Sequence, residues 1–277
     1  MSARVRTSVL AVSLLFAGAH VSRAQVPPST PSLLETSPEG WTSVQPGPDL
    51  AGWVRQPWPA TDKLGPQQWS VDPETTYLVC GGTGGHDWLR LDRDLADAVF
   101  HVEWRFTPVA GASGYNSGVF ARTAADESVW HQAQVGGVRA GYLFGLTPVL
   151  GQPQRQSLAD RLRSFRVRAP GEWNTYELTA RGQAISLWAN GAVTSEMTVE
   201  VRHGYFGLEG EGFRIEFRNL KLRVLEAQAS RATPTRRSSM LRRDWHRLFG
   251  GRRYQVGPGV TGRGTTNPPR LRPERVR

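Results

Sequence analysis

Between residues 98 and 106 the chain alternates strictly. Phe100, Val102, Trp104 and Phe106 share one parity, and His101, Glu103 and Arg105 share the other. A period of two gathers an apolar set on one side of a strand, whereas a helix would scatter it. The pattern recurs along the chain. Residues 130–135 set His131, Ala133 and Val135 against Trp130, Gln132 and Gln134, and residues 205–211 set Phe206 and Leu208 against Glu209 and Glu211. Residues 184–189 place Ile185, Leu187 and Ala189 inward and then reach Asn190-Gly191, a strong two-residue hairpin signal. In residues 213–217 the apolar set is Phe213, Ile215 and Phe217, but it becomes Leu220, Leu222 and Val224 further on, which predicts a bulge near Arg218-Asn219. The 30 glycines and 19 prolines supply the turns that many short strands require. Without βαβ spacing, the expected fold is all-β, a sandwich of two antiparallel sheets. Residues 149–172 form the one long connection, with a helical turn or two near Ser157–Leu162; loops this long in compact folds tend to be functional.

The formal net charge is +10, which at first suggests a nucleic-acid or membrane partner. Its distribution argues otherwise. Residues 228–277 carry 13 arginines against Asp244 and Glu274, a balance of +11, while residues 25–227 hold 18 basic and 22 acidic side chains, a balance of −4. The body is mildly acidic, so no nucleic-acid partner is expected. Arg4 and Arg6 precede the apolar run 9–17, and Ser22-Arg23-Ala24 follows, which reads as a secretory signal peptide over 1–24 cleaved before Gln25. The expected location is therefore periplasmic or extracellular. Residues 25–39 read as a Pro/Ser-rich linker, 40–227 as the folded body, and 228–277 as a basic, mostly disordered tail. Within the tail, Leu241, Trp245, Leu248 and Phe249 recur at helical spacing among arginines, so contact with anionic membrane or envelope polymer is the alternative to a solvated tail.

The polar parity is chemically rich: Arg90, Glu103, Arg105, Arg122, Gln132, Gln134, Trp188, Glu209 and Glu211 all take it. On adjacent strands they would form one floor for a sugar, with carboxylates and amides on hydroxyls and indoles on apolar ring faces. The alternative is an ordinary salt-bridged outer face. Glu209, Glu211 and Glu103 could bind a hard divalent cation, against the alternative of ion pairs with the arginines. His131 takes the apolar parity, as a core histidine or a catalytic one. Gly81–Gly85 lacks dinucleotide-binding spacing and leads into a strand, and no P-loop, GxSxG or HExxH occurs, so no nucleotide cofactor is expected. The single cysteine, Cys80, excludes an intramolecular disulfide and any multi-cysteine metal centre.

Several strings in order carry a family likeness. They are Gly40-Trp41, Asp49-Leu50-Ala51-Gly52-Trp53 and Trp69-Ser70-Val71, then Phe100–Phe106, Asn116–Arg122 and Trp130–Val135. Gly171-Glu172-Trp173-Asn174-Thr175-Tyr176-Glu177 follows, then Gly207-Leu208-Glu209-Gly210-Glu211-Gly212 and Phe217-Arg218-Asn219-Leu220. Together they resemble the 3-keto-disaccharide hydrolase domain, also described as 3-keto-glucoside-1,2-lyase/3-keto-2-hydroxy-glucal hydratase, over residues 40–226.

The resemblance implies a concanavalin/LamG-like jelly roll, exported, acting on oxidised glycosides. A ketone at C3 acidifies the C2 hydrogen; a base removes it, the C1–O bond breaks by β-elimination, and water adds to the resulting glucal. An arginine or divalent metal would stabilise the enolate. On this reading Glu211 or Glu209 is the base or a metal ligand, and Arg105 and Arg122 bind substrate. Glu103, Asn116, Gln132, Gln134, Trp173, Trp188 and His131 complete the expected site. Many family members carry Glu-x-Gln where this chain has Gln132-Ala133-Gln134, and Gln where it has Glu209, so a carboxylate is lost at one position and added at the other. Two alternatives stand beside this enzyme: a non-catalytic carbohydrate-binding sandwich, and, ranked last, a glucan hydrolase with two carboxylates flanking one bond.

Overall fold

The computed structural model of the chain describes residues 28–226. The expected signal peptide over 1–24 and the Arg-rich segment 228–277 lie outside the described residues, and with them the helical spacing of Leu241, Trp245, Leu248 and Phe249. No helix among the described residues is long and apolar enough to cross a membrane.

A four-residue helix, α1 (Leu33–Thr36), precedes fifteen strands. These are β1 (Thr42–Ser43), β2 (Trp53–Pro57), β3 (Trp69–Val71), β4 (Leu78–Cys80), β5 (Asp87–Leu91), β6 (Ala98–Phe106), β7 (Asn116–Thr123) and β8 (Trp130–Gly136). They continue as β9 (Leu143–Val149), β10 (Gln152–Ser157), β11 (Asn174–Arg181), β12 (Ala184–Ala189), β13 (Ala192–Thr198), β14 (Tyr205–Gly210) and β15 (Ile215–Val224). One antiparallel sheet runs β13-β12-β11-β6-β15-β4-β3, with β1 also paired to β15; the other runs β10-β9-β8-β7-β14-β5-β2. The fold is the expected all-β sandwich of two antiparallel sheets.

Alternation explains how the sheets meet. Phe100, Val102, Trp104 and Phe106 of β6 and Tyr176 and Leu178 of β11 are buried in the same core as Val119, Ala133, Phe206 and Leu208 of the other sheet. Phe100 meets Phe206 edge-on across the sandwich, with ring centroids 6.2 Å apart. Each such side chain fully removed from water contributes about 1.5–3 kcal/mol. Asn190 and Gly191, at φ 42° and 100°, make the tight turn between β12 and β13. The register of β15 against β6 shifts between Arg218 and Lys221, with Asn219 at φ 51°, so the expected bulge is present and Leu220 and Leu222 return to the core.

Two expectations need correction. The long connection 149–172 contains a strand, β10, before a 3₁₀ turn at Ala159–Arg161. Its residues Gln152–Ser157 are polar on both parities because β10 is an outer-edge strand without a buried face, so alternation gave no signal there. The second concerns the linker. Ser32 and Glu35 form a capping box on α1, and the Leu33 and Leu34 backbone N–H groups donate to Glu177 of β11 at 2.6 and 2.9 Å. A carboxylate from the sheet thus satisfies helix N–H groups that would otherwise lack partners, and this segment is pinned to the body.

Candidate functional site

The outward parity of the β10-to-β2 sheet forms the floor of a cleft of about 510 Å³. Strands β7, β8 and β14 supply Asn116, Gln132, Gln134 and Glu209, with Glu211 just beyond β14. Loops complete it: His86 ends the glycine-rich connection from β4 to β5, Trp58-Pro59 follows β2, and Glu127 sits in the turn between β7 and β8. Trp130, Phe144 and Arg155 close the far side. The aromatic wall is continuous. Trp58 stacks on Phe120 at 4.8 Å and meets Trp130 edge-on at 5.7 Å, and Trp130 meets Phe144 at 5.2 Å.

The polar groups form a chain. His86 Nε2 lies 2.8 Å from Glu209 Oε1 and 3.8 Å from Glu211 Oε2. Gln132 Nε2 donates to Glu209 Oε2, Asn116 Nδ2 donates to Glu211 Oε2, and Gln134 Nε2 donates to Asn116 Oδ1 at 2.6 Å. Gln132 on β8 reaches Glu209 on β14 across the intervening β7. It can do so because the β7 residue beneath is Gly118, where a Cβ would collide with the Gln132 amide.

Burial raises Glu209 above the usual carboxylate range, against the opposing hydrogen bonds from His86 and Gln132. For His86 burial acts downward, but the hydrogen bond to Glu209 and the charges of Glu209 and Glu211 outweigh it and raise its pKa. Glu127 is also raised, by burial first. Three carboxylates and an imidazole therefore share one partly desolvated cleft, the arrangement in which proton-transfer groups are tuned apart. One ligand atom from each of His86, Glu209 and Glu211 lies within 4.8 Å of the others. Imidazole plus two carboxylates is a donor set suited to a first-row divalent cation.

Of the residues expected from sequence, the structure brings together Glu209, Glu211, Asn116, Gln132 and Gln134. The others are elsewhere. Glu103 and Arg105 of β6, Trp173 and Trp188 lie on the outer face of the opposite sheet, so the single floor is in fact two faces. There Arg105 bonds Glu216 at 2.7 and 2.9 Å, Arg218 bonds Glu103 at 2.7 Å, and both guanidinium groups cover Trp173 at 4.5 and 3.9 Å. His101, Asn219 and Arg218 hold the Glu103 carboxyl down to about 2. This is the salt-bridged surface that stood as the alternative, and Glu103 is no partner of Glu209 for a metal. Trp188 Nε1 donates to Thr30 Oγ1 at 3.3 Å.

Arg122 is wholly buried and cannot touch a ligand. Its guanidinium donates to the carbonyls of Ala96, Gly182 and Val201 and to Asp97 at 2.7 Å, tying loops from both sheets. His131 faces inward, with Nδ1 3.3 Å from the Ala121 carbonyl, and burial pushes its pKa down to about 4, so it is a neutral core histidine. Arg90 is engaged with Gln56 and lies over the Tyr205 ring. The sequence pattern missed His86, Glu127 and Trp58, which sit in loops or just beyond a strand end, because loops have no period. The one available hint was a histidine directly after a glycine-rich turn.

Residues 40–223 match a family described as the 3-keto-alpha-glucoside-1,2-lyase-like domain. No curated protein sequence matches the chain significantly. Among solved structures, a candidate glycosyl hydrolase from Parabacteroides distasonis ATCC 8503 is 15% identical, with a TM-score of 0.49, covering 72% of this chain and 100% of its own. A carbohydrate-binding module from Bacillus subtilis is 13% identical at a TM-score of 0.43, covering 61% and 94%. A Bacillus licheniformis beta-glucanase is 11% identical at 0.44, covering 64% and 94%.

Proposed function

We propose that this chain, which belongs to the 3-keto-alpha-glucoside-1,2-lyase-like domain family, cleaves 3-keto-glycosides outside the cytoplasm by C2 proton abstraction, β-elimination and hydration. The observation that carries the reading is the convergence of His86, Glu209 and Glu211 in an aromatic-walled cleft. Glu211 is the base. Its side chain is 38% exposed, whereas Glu209 is 5% exposed with both oxygens engaged, by His86 and by Gln132. Asn116 orients the Glu211 carboxylate.

Glu209 holds the His86 ring through Nε2, so that its other nitrogen, Nδ1, can donate to the C3 oxygen as the enolate forms. A preorganised donor at such a developing charge is worth about 10²–10³ in rate. Trp58, Trp130 and Phe144 offer apolar surface to the sugar ring, and Gln134 offers hydrogen bonds to hydroxyls. His86, Glu209 and Glu211 are also the residues that would hold a divalent cation, which would supply Lewis-acid polarisation of the C3 oxygen.

The test is turnover of a 3-keto-disaccharide by purified protein, with Glu211→Gln alongside, assayed with and without added divalent metal. Release of 3-keto-glucose or the glucal by the wild type but not the variant supports the enzyme. The aromatic wall equally favours a non-catalytic carbohydrate-binding module, whose signature is saturable binding without turnover. The reading extends to the Arg-rich segment 228–277 as a tether to anionic envelope material. Ending the chain at Ala227 would then abolish salt-sensitive membrane association and spare turnover.

A further inference from the structure

We infer that Glu127 is the general acid that protonates the departing glycosidic oxygen; the assignment rests on the 3-keto-glycoside reading of this cleft. β-Elimination expels an alkoxide, and a sugar or alkyl alkoxide is too basic to leave without a proton. The cleft must therefore present a proton donor apart from the base. Its polar groups can be taken in turn. Glu209 has both oxygens occupied, Glu211 accepts from Asn116 and faces the base role, and His86, held by Glu209 through Nε2, is committed to the C3 oxygen. Arg155 has its guanidinium over the Trp130 ring, 5.5 Å from the centroid, and an arginine does not give up its proton. Glu127 remains.

Its geometry fits the task. Oε2 accepts the Ala60 N–H at 2.8 Å, while Oε1 is shielded from solvent and has no hydrogen-bond partner. An unpartnered buried oxygen is costly and calls for a reason. Because the backbone N–H fixes Oε2 as an acceptor, the proton of the neutral acid belongs on Oε1. A glycosidic oxygen in the cleft would supply the missing partner. The backbone at Glu127 has φ 59°, a conformation that non-glycine residues adopt at a cost and that concentrates at functional sites. The titratable groups that act on Glu127 are His86, Asp126 and Asp62, and with burial they leave its carboxyl above the usual range.

The steps balance. Glu211 takes the C2 proton, the C2–H pair forms the enolate, and its collapse makes the C1–C2 double bond as the C1–O bond breaks. Glu127 Oε1 gives its proton to the leaving oxygen and becomes a carboxylate. Water then adds across C1–C2. Glu127 takes a proton from that water as its oxygen bonds C1, and Glu211 returns its proton to C2. Both carboxyls end as they began, and the sum is hydrolysis.

The test compares two leaving groups. For Glu127→Gln, the single-turnover rate of aglycone release from a 3-keto-disaccharide, which precedes hydration of the common glucal, is expected to fall about 10²–10⁴-fold, the usual worth of a positioned acid, with a far smaller loss on 4-nitrophenyl 3-keto-glucoside, whose phenolate leaves unprotonated. The high-pH limb of the disaccharide profile should vanish in the variant. Equal losses on both substrates, or no loss, would overturn the role of Glu127 while leaving the 3-keto-glycoside reading intact. Absence of wild-type turnover on both would overturn that reading and this assignment with it. If the variant fails to fold, a leaving-group series on the wild type decides. Rates nearly independent of leaving-group pKa support an acid, and a steep dependence contradicts one.

Discussion

The imidazole Nε2 of His86 stands 2.8 Å from Oε1 of Glu209, joining the loop after β4 to strand β14 across the floor of the cleft. The two residues are 123 positions apart in sequence and act as one unit. Residues that act as a unit are non-additive when removed. His86→Ala and Glu209→Gln should each lower kcat by about 10²-fold or more, the scale of a lost preorganised donor. The double variant should lose little beyond the larger single loss. Multiplicative losses in the cycle would show that the pair is two independent groups.

Gly118→Ala tests the floor itself. The added Cβ would occupy the path of the Gln132 side chain, so Gln132 must move and release Glu209. Overpacking of this kind costs about 1–3 kcal/mol. Calorimetry should show a lowered Tm, and kcat/KM should fall together with it. A variant with wild-type Tm and wild-type activity would mean that Gln132 need not cross β7.

Arg122 and Arg105 separate structural from functional arginines. Arg122→Ala removes the guanidinium that donates to three carbonyls and pairs with Asp97, which keeps only the Gly182 N–H, and breaking a buried pair from one side costs about 3–5 kcal/mol. Denaturant melts should show that loss. Arg105→Ala, on the opposite outer face, should leave KM for the glycoside unchanged. A raised KM with normal stability in either variant would return that arginine to the substrate.

These arginines also show what was legible in sequence. Parity along a strand says which side chains leave the core, and it sorted β6, β8, β14 and the bulge of β15 correctly. A sandwich has two outer faces, however, and parity is blind to which sheet a strand joins. Glu103 and Arg105 therefore looked like neighbours of Glu209 and Glu211. Arg122 misled for another reason. It leaves the regular strand at φ 46° near the end of β7, so its outward parity no longer determined where its side chain went. His86 and Glu127 gave no periodic signal because the loops that hold them are shaped by contacts distant in sequence, such as Ala60 with Glu127.

His131 makes stability depend on acidity. Its folded pKa is about 4, below the ordinary 6.5, because burial disfavours the charged ring. Above pH 6.5 both folded and unfolded states are neutral at this residue and it contributes no pH dependence. As the pH falls from there, the unfolded chain binds the proton first, so stability drops until about pH 4 and then levels. The full drop is on the order of 3 kcal/mol. Melts of His131→Leu across that window should be flatter than those of the wild type. Parallel curves would mean that another group sets the acid limb.

The most direct measurement of the central claim is cleavage of a 3-keto-disaccharide in D₂O, with the unoxidised disaccharide as control. Release of 3-keto-glucose carrying deuterium at C2 is expected, because the carboxyl proton that Glu211 takes from C2 exchanges with D₂O before C2 is reprotonated, together with loss of that release in Glu211→Gln and no cleavage of the unoxidised sugar. Cleavage of both sugars without deuterium at C2, or binding with no release at all, would contradict it.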